Sequence, residues 1–389
     1  MPIRAIRAAL ALLLLAGATA PAQQDPSAAS LRVTVIVSDL GAAAARGRLE
    51  RTVAEAWAVR QRQRGGIFGQ EVRVEVRSDA SDPTRASRLV QEAADAGAHA
   101  VVCCSTSRAS DVAARVAAEE RILLLSPASA GSAAGEGWQV GLAPSRRASL
   151  RAMVRDLYAR GLRSIGLFTL EGAYGDAVRD DLQGLIGTET LRLVEDARFA
   201  PGAEPLTAEA LWLATRVPGA VVVWATRDDT VRAVDALRRR GWTGPVYLPT
   251  ALTDPLAGGL PSGLRGEVRV PLSPASLPAS VPAGDPRASW QADARALGDG
   301  RLEARSHDAA GAVMHDALAL LAMAFERTAT YGVAPSDVAR YRTALRDGLV
   351  SMSATPLAAG TYHPGEPAAA TAEGLVMARL EGGRLVPME

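Results

Sequence analysis

Residues 65–86 read GGIFGQEVRVEVRSDASDPTRA, and this stretch decides the fold class because a turn, a strand and a helix start follow one another closely. The glycine-rich turn at 65–70 precedes a β-branched run at 71–76, which predicts a strand. Residues 83–95 then have the apolar spacing of an amphipathic helix. The same order recurs between residues 31 and 248, which is typical of α/β proteins whose helices cover both faces of a parallel sheet.

Two series of these units follow one another, which predicts two α/β domains. In the first, strands are expected at 31–37, 71–76, 98–102 and 122–125, and helices at 48–63, 83–95 and 107–120. In the second, strands are expected at 164–169, 189–198, 220–225 and 245–248, and helices at 146–160, 176–186, 207–216 and 228–240. Five prolines within residues 271–287 predict an irregular loop, and helices are expected again at 307–328 and 335–348.

The composition excludes several classes of function. The chain has 389 residues, of which 48% are hydrophobic and 22% charged, as in a soluble globular protein of two or three domains. All 43 basic residues are arginine, and the sequence contains no lysine and no asparagine. A Walker A lysine, a Schiff-base lysine and an N-glycosylation acceptor are therefore excluded. The formal net charge of +1 gives no basic excess for nucleic acid or an anionic membrane, so neither partner is expected.

The first 22 residues have the plan of a secretory signal peptide. Arg4 and Arg7 precede an apolar run at 8–16, and small residues then lead to a cleavage site expected before Gln23. No cysteine lies near that site, which argues against a lipid anchor. The apolar run is shorter than the roughly 18 residues of a membrane-spanning helix. We therefore expect an exported, soluble protein without membrane insertion.

From residue 31 onward the chain resembles the type I periplasmic binding proteins of the leucine/isoleucine/valine-binding family, the solute receptors of ABC importers. The most specific match joins residues 65–70 to residues 78–86, which together are similar to the family's GGIxG…DxxxDPxxA stretch. Further matches keep the family's order: Cys103-Cys104-Ser105-Thr106-Ser107, Glu119-Glu120 with 122–127, Ala143-Pro144-Ser145, Ala173-Tyr174-Gly175 and His307-Asp308-Ala309-Ala310.

The resemblance implies a division into two doubly wound parallel-sheet lobes joined by a three-crossing hinge. The N-terminal lobe is expected to comprise residues 23–143 and 253–355, and the C-terminal lobe residues 144–252 and 356–389. Such lobes close on a ligand by hinge motion. The ligand is expected in the cleft between them.

In the first lobe, the residues expected to line that cleft come directly after two predicted strands. In open α/β sheets, ligands bind beyond the carboxyl ends of strands, where helix N-termini present free N–H groups. Ser105, Thr106 and Ser107 lie at such a position, where each hydroxyl can cap the next helix or donate to a ligand. The resemblance aligns Ser107 with the family's ligand-binding serine. It also aligns Ala128 and Ser129 with a loop that holds the ligand.

The expected second-lobe wall contains Tyr174, Trp224, Thr226 and Thr250. Tyr174 matches the family's ligand-contacting aromatic residue, although a packed loop tyrosine explains the sequence equally well. Trp224 ends an apolar strand and could instead belong to the core, whereas Thr226 stands where many members have a ligand-facing residue.

Two departures from the family pattern make a standard α-amino acid ligand unexpected. The family's ligand-binding threonine is Ala130 in this chain, with Ser129 as a substitute one residue away. The acidic residue that meets the ligand's ammonium in amino-acid binders is replaced by Thr250, and Asp254 is a fallback.

The two cysteines, Cys103 and Cys104, are adjacent. Export places them in an oxidising compartment, where a disulfide between neighbours can only be a vicinal bridge. We hypothesise such a bridge lining the cleft. The alternative is two reduced cysteines that end a buried strand.

No catalytic or metal-binding pattern is present in the sequence. The four histidines lack metal-ligand spacing, and the chain has neither C-x-x-C nor G-x-S-x-G. We therefore predict no enzyme activity, no cofactor and no metal.

The prediction is a monomeric periplasmic protein that delivers a small solute to an ABC permease and ATPase complex in the inner membrane. A ligand-sensing subunit of a signalling system and a true branched-chain amino acid binder are the alternatives.

Overall fold

The computed structural model describes residues 30–388 except 129–136, 188–190, 255–258, 278–280, 282–283, 297–307 and 364–373. In chain order, the strands are β1 Leu31–Val37, β2 Val72–Ser78, β3 Ala100–Val102, β4 Leu123–Ser126, β5 Gln139–Gly141, β6 Ser164–Leu170, β7 Arg192–Phe199, β8 Ala220–Trp224, β9 Val246–Tyr247, β10 Val268–Leu272, β11 Thr355–Leu357, β12 Gly360–Tyr362, β13 Val376–Glu381 and β14 Arg384–Pro387. The helices are α1 Ala44–Gln63, α2 Pro83–Asp95, α3 Ser107–Glu119, α4 Arg146–Ala159, α5 Ala173–Ile186, α6 Thr207–Thr215, α7 Arg227–Arg239, α8 Arg287–Ala296, α9 Ala309–Ala329 and α10 Val338–Val350.

The first lobe contains a parallel sheet with the strand order β2-β1-β3-β4-β5. Alternate residues of its strands enter two separate cores because side chains of a strand point to opposite faces. Val33 and Val35 pack with α1, α9 and α10 on one face, whereas Ile36 and Val101 pack with α2 and α3 on the other. The predicted parallel sheet with helices on both faces is confirmed.

The second lobe contains a sheet with the order β14-β13-β10-β9-β8-β6-β7. The strands from β10 to β7 are parallel, and β13 and β14 add an antiparallel edge. Val221 and Val223 enter one core and Val222 the other, so this sheet is also covered on both faces.

The lobe boundaries differ from the predicted ones at two crossings. Strand β10 pairs with β9 and β13, so it belongs to the second sheet, although residues 253–355 were assigned to the first lobe. The hairpin of β11 and β12 was assigned to the second lobe, but its Ala358 and Tyr362 pack in the first-lobe core. Pro271 lies within β10, and the proline content there favoured a loop prediction. The lobe to which each of these two segments belongs is therefore set by strand pairing and core contacts, which the number of prolines in the sequence does not predict.

Helix α9 is the central helix of the first lobe. Among the described residues, it is the one helix long and apolar enough to cross a membrane, yet 72% of its most apolar window is buried inside the protein. Its Asp316 carboxylate accepts hydrogen bonds from the backbone N–H groups of Ala358 and Ala359, at 3.1 and 2.7 Å. These contacts are those of a core helix that anchors the β11–β12 hairpin.

Candidate functional site

A cavity of about 400 Å³ lies between the two lobes, where the carboxyl ends of strands from both sheets face each other. Both lobes contribute to its wall through loops after strands and through the first turns of α3, α4, α5 and α9. The bordering residues are Arg46, Ser105, Thr106, Ser107, Pro127, Ala128, Ala143, Pro144, Ser145, Arg146, Ser149, Tyr174, Trp224, Pro249, Thr250, Ala251, Thr253, Asp254, Ser273, Ser276, Ala309, Ala310 and Val313.

Most of the predicted site residues meet at this cavity: Ser105, Thr106, Ser107, Ala128, Tyr174, Trp224 and Thr250. Thr226 does not border it. It is the exposed N-cap residue of α7, and its hydroxyl donates a hydrogen bond to Asp229 Oδ2 at 2.6 Å instead of capping the helix backbone. Ser129 and Ala130 lie outside the described residues.

Ser105 has a structural role at the base of the cavity. Its hydroxyl oxygen accepts a hydrogen bond from the Ser38 N–H at 2.8 Å, and its proton goes to the Glu50 carboxylate. Because the hydroxyl already accepts one hydrogen bond and donates another within the protein, Ser105 holds the loop in place and presents no donor to a solute. This hydroxyl was predicted to contact the ligand itself.

The next two residues place a helix N-terminus at the cavity. Thr106 is the N-cap of α3, and its Oγ1 accepts a hydrogen bond from the Ala109 N–H at 3.3 Å. Ser107 is the first residue of that helix and is exposed. The first turn of a helix carries partial positive charge, so this wall favours a carbonyl or carboxylate oxygen.

The loop after β4 is held rigidly at the cavity. The Ser126 hydroxyl donates to the Ala128 carbonyl at 3.1 Å and accepts from the Ala128 N–H at 3.2 Å. Ser110 on α3 donates to the same Ser126 oxygen at 2.7 Å. These bonds fix the backbone position of Ala128 without using its side chain.

Two aromatic residues form the apolar part of the second-lobe wall. Tyr174 lies in the first turn of α5 with 47% of its surface exposed, and Trp224 ends β8 with 6% exposed. Burial raises the pKa of Tyr174, and a hydrogen bond with Trp224 and the charge of Arg146 offset part of the rise. Trp224 therefore belongs to both the cavity wall and the core, the two positions that the sequence left open.

Thr250 contributes a neutral hydroxyl to the same wall. Its Oγ1 lies 2.6 Å from the Ser149 Oγ, and either atom can be the donor. Because both residues lack charge, this part of the wall suits a polar neutral group better than an ammonium.

The charged residues of the cavity were largely missed from sequence. Arg46, on the first turn of α1, donates a hydrogen bond across the cleft to Asp254, which follows β9 of the second lobe. Burial alone would lower the pKa of Arg46, but the charges of Glu50 and Asp254 raise it. Arg146 donates to Asp181 Oδ2 at 2.6 Å. Only Asp254 carried a signal, namely its closeness to the strand end before Thr250.

The cysteine pair lies away from the cavity. The structure joins Cys103 and Cys104 in a disulfide, and both residues are fully buried in the core beneath α2 and α3. The predicted position lining the cleft is wrong, because the side chains after β3 pack under the helices before the chain reaches the cavity at Ser105.

Within the described ranges, no three His, Cys, Asp or Glu side chains cluster closely enough to hold a metal ion. His99, for example, is buried and accepts a hydrogen bond from the Arg32 N–H at 2.9 Å. Burial lowers the pKa of His99, which keeps this imidazole neutral at pH 7.

Comparison with known proteins identifies the family. The sequence model of the periplasmic binding protein family matches residues 30–383. No curated protein matches the sequence at a significant level.

Three solved structures illustrate the likeness of the fold. An extracellular ligand-binding receptor from Rhodopseudomonas palustris has 19% identity and a TM-score of 0.71, covering 92% of this chain and 99% of that chain. The leucine-binding protein LivK from Thermotoga maritima has 18% identity and a TM-score of 0.67, covering 92% and 98%. LivJ from Streptococcus pneumoniae, in complex with isoleucine, has 16% identity and a TM-score of 0.64, covering 92% and 100%. Identities this low establish the shared fold, and the family match confirms the resemblance drawn from residues 65–86. The chain belongs to the periplasmic binding protein family, with the two-lobed α/β fold of its type I members.

Proposed function

We propose that the protein is an exported receptor that captures a small organic solute between its lobes and delivers it to an ABC importer. The observation that carries the proposal is the cavity of about 400 Å³, bordered by side chains of both lobes. Its volume lies in the range of small-molecule sites, and its wall combines polar side chains with apolar and aromatic ones. The family consists of solute-binding receptors, so binding alone, with no bond made or broken, is the proposed activity.

The cellular setting of the proposal is the periplasm. Residues 1–22 have the plan of a signal peptide and lie outside the described residues. A monomer that docks on a permease and ATPase complex is the partner arrangement proposed, in line with the description of LivJ as a transporter substrate-binding protein.

The solute is proposed not to be a standard α-amino acid. Thr250 is neutral and faces the Ser149 hydroxyl. Asp254, the acidic residue that borders the cavity, is already paired with Arg46. A ligand ammonium would have to draw Asp254 away from a guanidinium, which leaves a partly buried cation with less compensation.

A thermal-shift screen on the mature chain tests the proposal. The screened compounds are amino acids, amides, aromatic carboxylates and short organic acids, because a solute that binds only the folded state raises the Tm. We expect a rise with a compound that is not an amino acid, and recovery of that compound unchanged by mass spectrometry. A largest rise with leucine or valine would contradict the ligand assignment, and a flat response to every class would contradict solute binding.

A matched pair of variants tests the location of the site. Tyr174→Ala should weaken binding of the solute found in the screen by about tenfold, since it removes an aromatic contact with the ligand. Tyr158→Ala is the control, because Tyr158 is 46% exposed, close to the 47% of Tyr174, but does not border the cavity. Calorimetry should give the control an unchanged Kd; equal effects of both substitutions would place the solute elsewhere.

A further inference from the structure

Glu50 is a fully buried carboxylate directly beneath the cavity. It lies on α1, one turn after Arg46, and its Oε2 accepts the hydrogen bond from Ser105. Its Oε1 has no hydrogen-bond partner in the described part of the chain, and Arg46 Nη1 is 3.9 Å away. A buried carboxylate with one unsatisfied oxygen is costly in its ionised form.

Arg46 connects this carboxylate to the opposite lobe. Its guanidinium lies between Glu50, in the first lobe, and Asp254, which follows β9 in the second. Glu50, Arg46 and Asp254 therefore form a chain of charges that begins in the first-lobe core and ends across the cleft. Any change in the charge of Glu50 acts on the cross-cleft contact through Arg46.

The groups that face Glu50 carry more negative than positive charge. Arg46 comes from the same helix, Asp79 follows β2 and Asp254 lies on the second lobe, while the hydroxyl of Ser105 is neutral. Asp308, the N-cap of α9, also acts on Arg46. One guanidinium is thus shared by several carboxylates, and an ionised Glu50 repels Asp254 and competes with it for Arg46.

The sign of this coupling follows from linkage. Burial raises the pKa of Glu50 most, Arg46 and Ser105 lower it, Asp79 and Asp254 raise it, and the result is about 7. Since Asp254 across the cleft favours the protonated form of Glu50, protonation of Glu50 must by reciprocity favour the contact with Asp254. Glu50 therefore has a higher pKa in the closed arrangement than in the open one. The closed arrangement is favoured at low pH, and this preference is lost as the pH rises through about 7.

We propose that Glu50 is a positioning residue that makes closure of the two lobes depend on pH. Protonated Glu50 leaves Arg46 to Asp254 and favours the closed form, whereas ionised Glu50 draws Arg46 towards the first lobe and favours opening. The inference rests on the proposed function, in which closure holds the solute.

Small-angle X-ray scattering of the mature chain without added solute tests the inference, with the proton as the probe. Between pH 5.5 and pH 8 the radius of gyration should rise with a midpoint near 7, where the Glu50 carboxylate titrates. One coupled proton changes the ratio of closed to open forms by at most about tenfold per pH unit. An unchanged radius of gyration, or a more compact protein at high pH, would overturn the inference.

Three variants separate positioning from a general structural role. Glu50→Gln keeps an acceptor for Ser105 without charge, so the protein should stay compact at every pH. Asp254→Asn should remove the pH dependence and leave the protein expanded. The control is Glu55→Gln on the exposed face of the same helix, where the side chain is 58% exposed, and it should keep the unmodified pH profile. A Glu50→Gln variant that still opens with rising pH overturns the inference.

A direct titration of the Glu50 carboxyl keeps the inference testable even if some variants fold poorly. Carbon-13 NMR of the glutamate carboxyls, assigned by comparison with Glu50→Gln, should show a lower pKa for Glu50 in Asp254→Asn than in the unmodified protein. An equal pKa would overturn the coupling even if both variants were destabilised.

The outcomes also separate this inference from the proposed function. A solute that raises the Tm while the radius of gyration stays constant with pH would overturn the Glu50 coupling and leave the receptor function intact. Lobe closure that depends on pH, in a protein that binds none of the screened solutes, would overturn the receptor function and leave the Glu50 coupling intact.

Discussion

The Ser105 hydroxyl accepts a hydrogen bond from the Ser38 N–H at 2.8 Å and thereby ties the end of β1 to the end of the neighbouring β3. The same hydroxyl donates to Glu50 on α1, so one buried side chain joins two strands and a helix at the base of the cavity. The position of the cavity loop thus depends on a bond within the first lobe.

Ser105→Ala should lower the free energy of unfolding by about 1–3 kcal/mol, because the Ser38 N–H and the buried Glu50 Oε2 both lose their hydrogen bond to the hydroxyl. Urea denaturation measures the change. Ser87→Ala is the control, since that exposed hydroxyl donates only to the Thr84 carbonyl on its own helix, and the change should stay within about 0.5 kcal/mol. Equal losses in the two variants would contradict the role given to Ser105.

Two glycines in helices should respond in opposite ways to alanine. Gly47 on α1 packs so closely on Ser38 and Asp39 that a Cβ would overlap their backbone, so Gly47→Ala should cost about 1–3 kcal/mol. Gly184 on α5 is exposed and its nearest neighbour is Arg147 Nη1 at 3.9 Å, so Gly184→Ala should gain up to about 1 kcal/mol. Thermal and urea unfolding check both signs, and a gain at Gly47 would refute the close helix packing.

His315 should contribute stability that disappears at alkaline pH. Burial lowers its pKa, but hydrogen bonds with Asp293 at 3.1 Å and Asp316 at 3.2 Å outweigh that and raise it from 6.5 to about 9. Because the folded-state pKa is above the unfolded one, the stabilisation is full below pH 6.5 and is lost as the pH rises through about 9.

His315→Gln should therefore destabilise the protein by about 3 kcal/mol at pH 6 and much less at pH 10. Urea denaturation of both proteins at the two pH values gives the comparison. A loss that is equal at pH 6 and pH 10 would mean that packing, rather than the charge of His315, sets the effect.

The cysteine pair should be found oxidised in protein exported to the periplasm. Alkylation of the unfolded, unreduced protein should leave the mass unchanged, and reduction followed by alkylation should add two labels, at Cys103 and Cys104. Two labels without reduction would show that the cysteines are free.

Periodicity in the sequence predicted most strands and helices of the two sheets, but not the short strand β5, strand β10 or helix α8. The strands at Leu31–Val37 and Ala220–Trp224 are buried runs of β-branched residues, and their signal is local. The start of α1 was placed four residues late, since its N-cap, Ala43, has no capping side chain to mark it. That shift hid Arg46 on the first turn of the helix, and with it the ion pair across the cleft.

The sequence by itself determined the α/β architecture and the family, because both depend on neighbouring residues in the chain and on the collinear motif at 65–86. Only the tertiary structure decided the chemistry of the cavity. Ser105 and Ser38 are 67 residues apart, and Arg46 and Asp254 are 208 apart, so no local pattern reports their contacts. Whether a hydroxyl serves a ligand or the fold, and whether a charge is free or paired, depends on partners that folding brings together from distant parts of the chain.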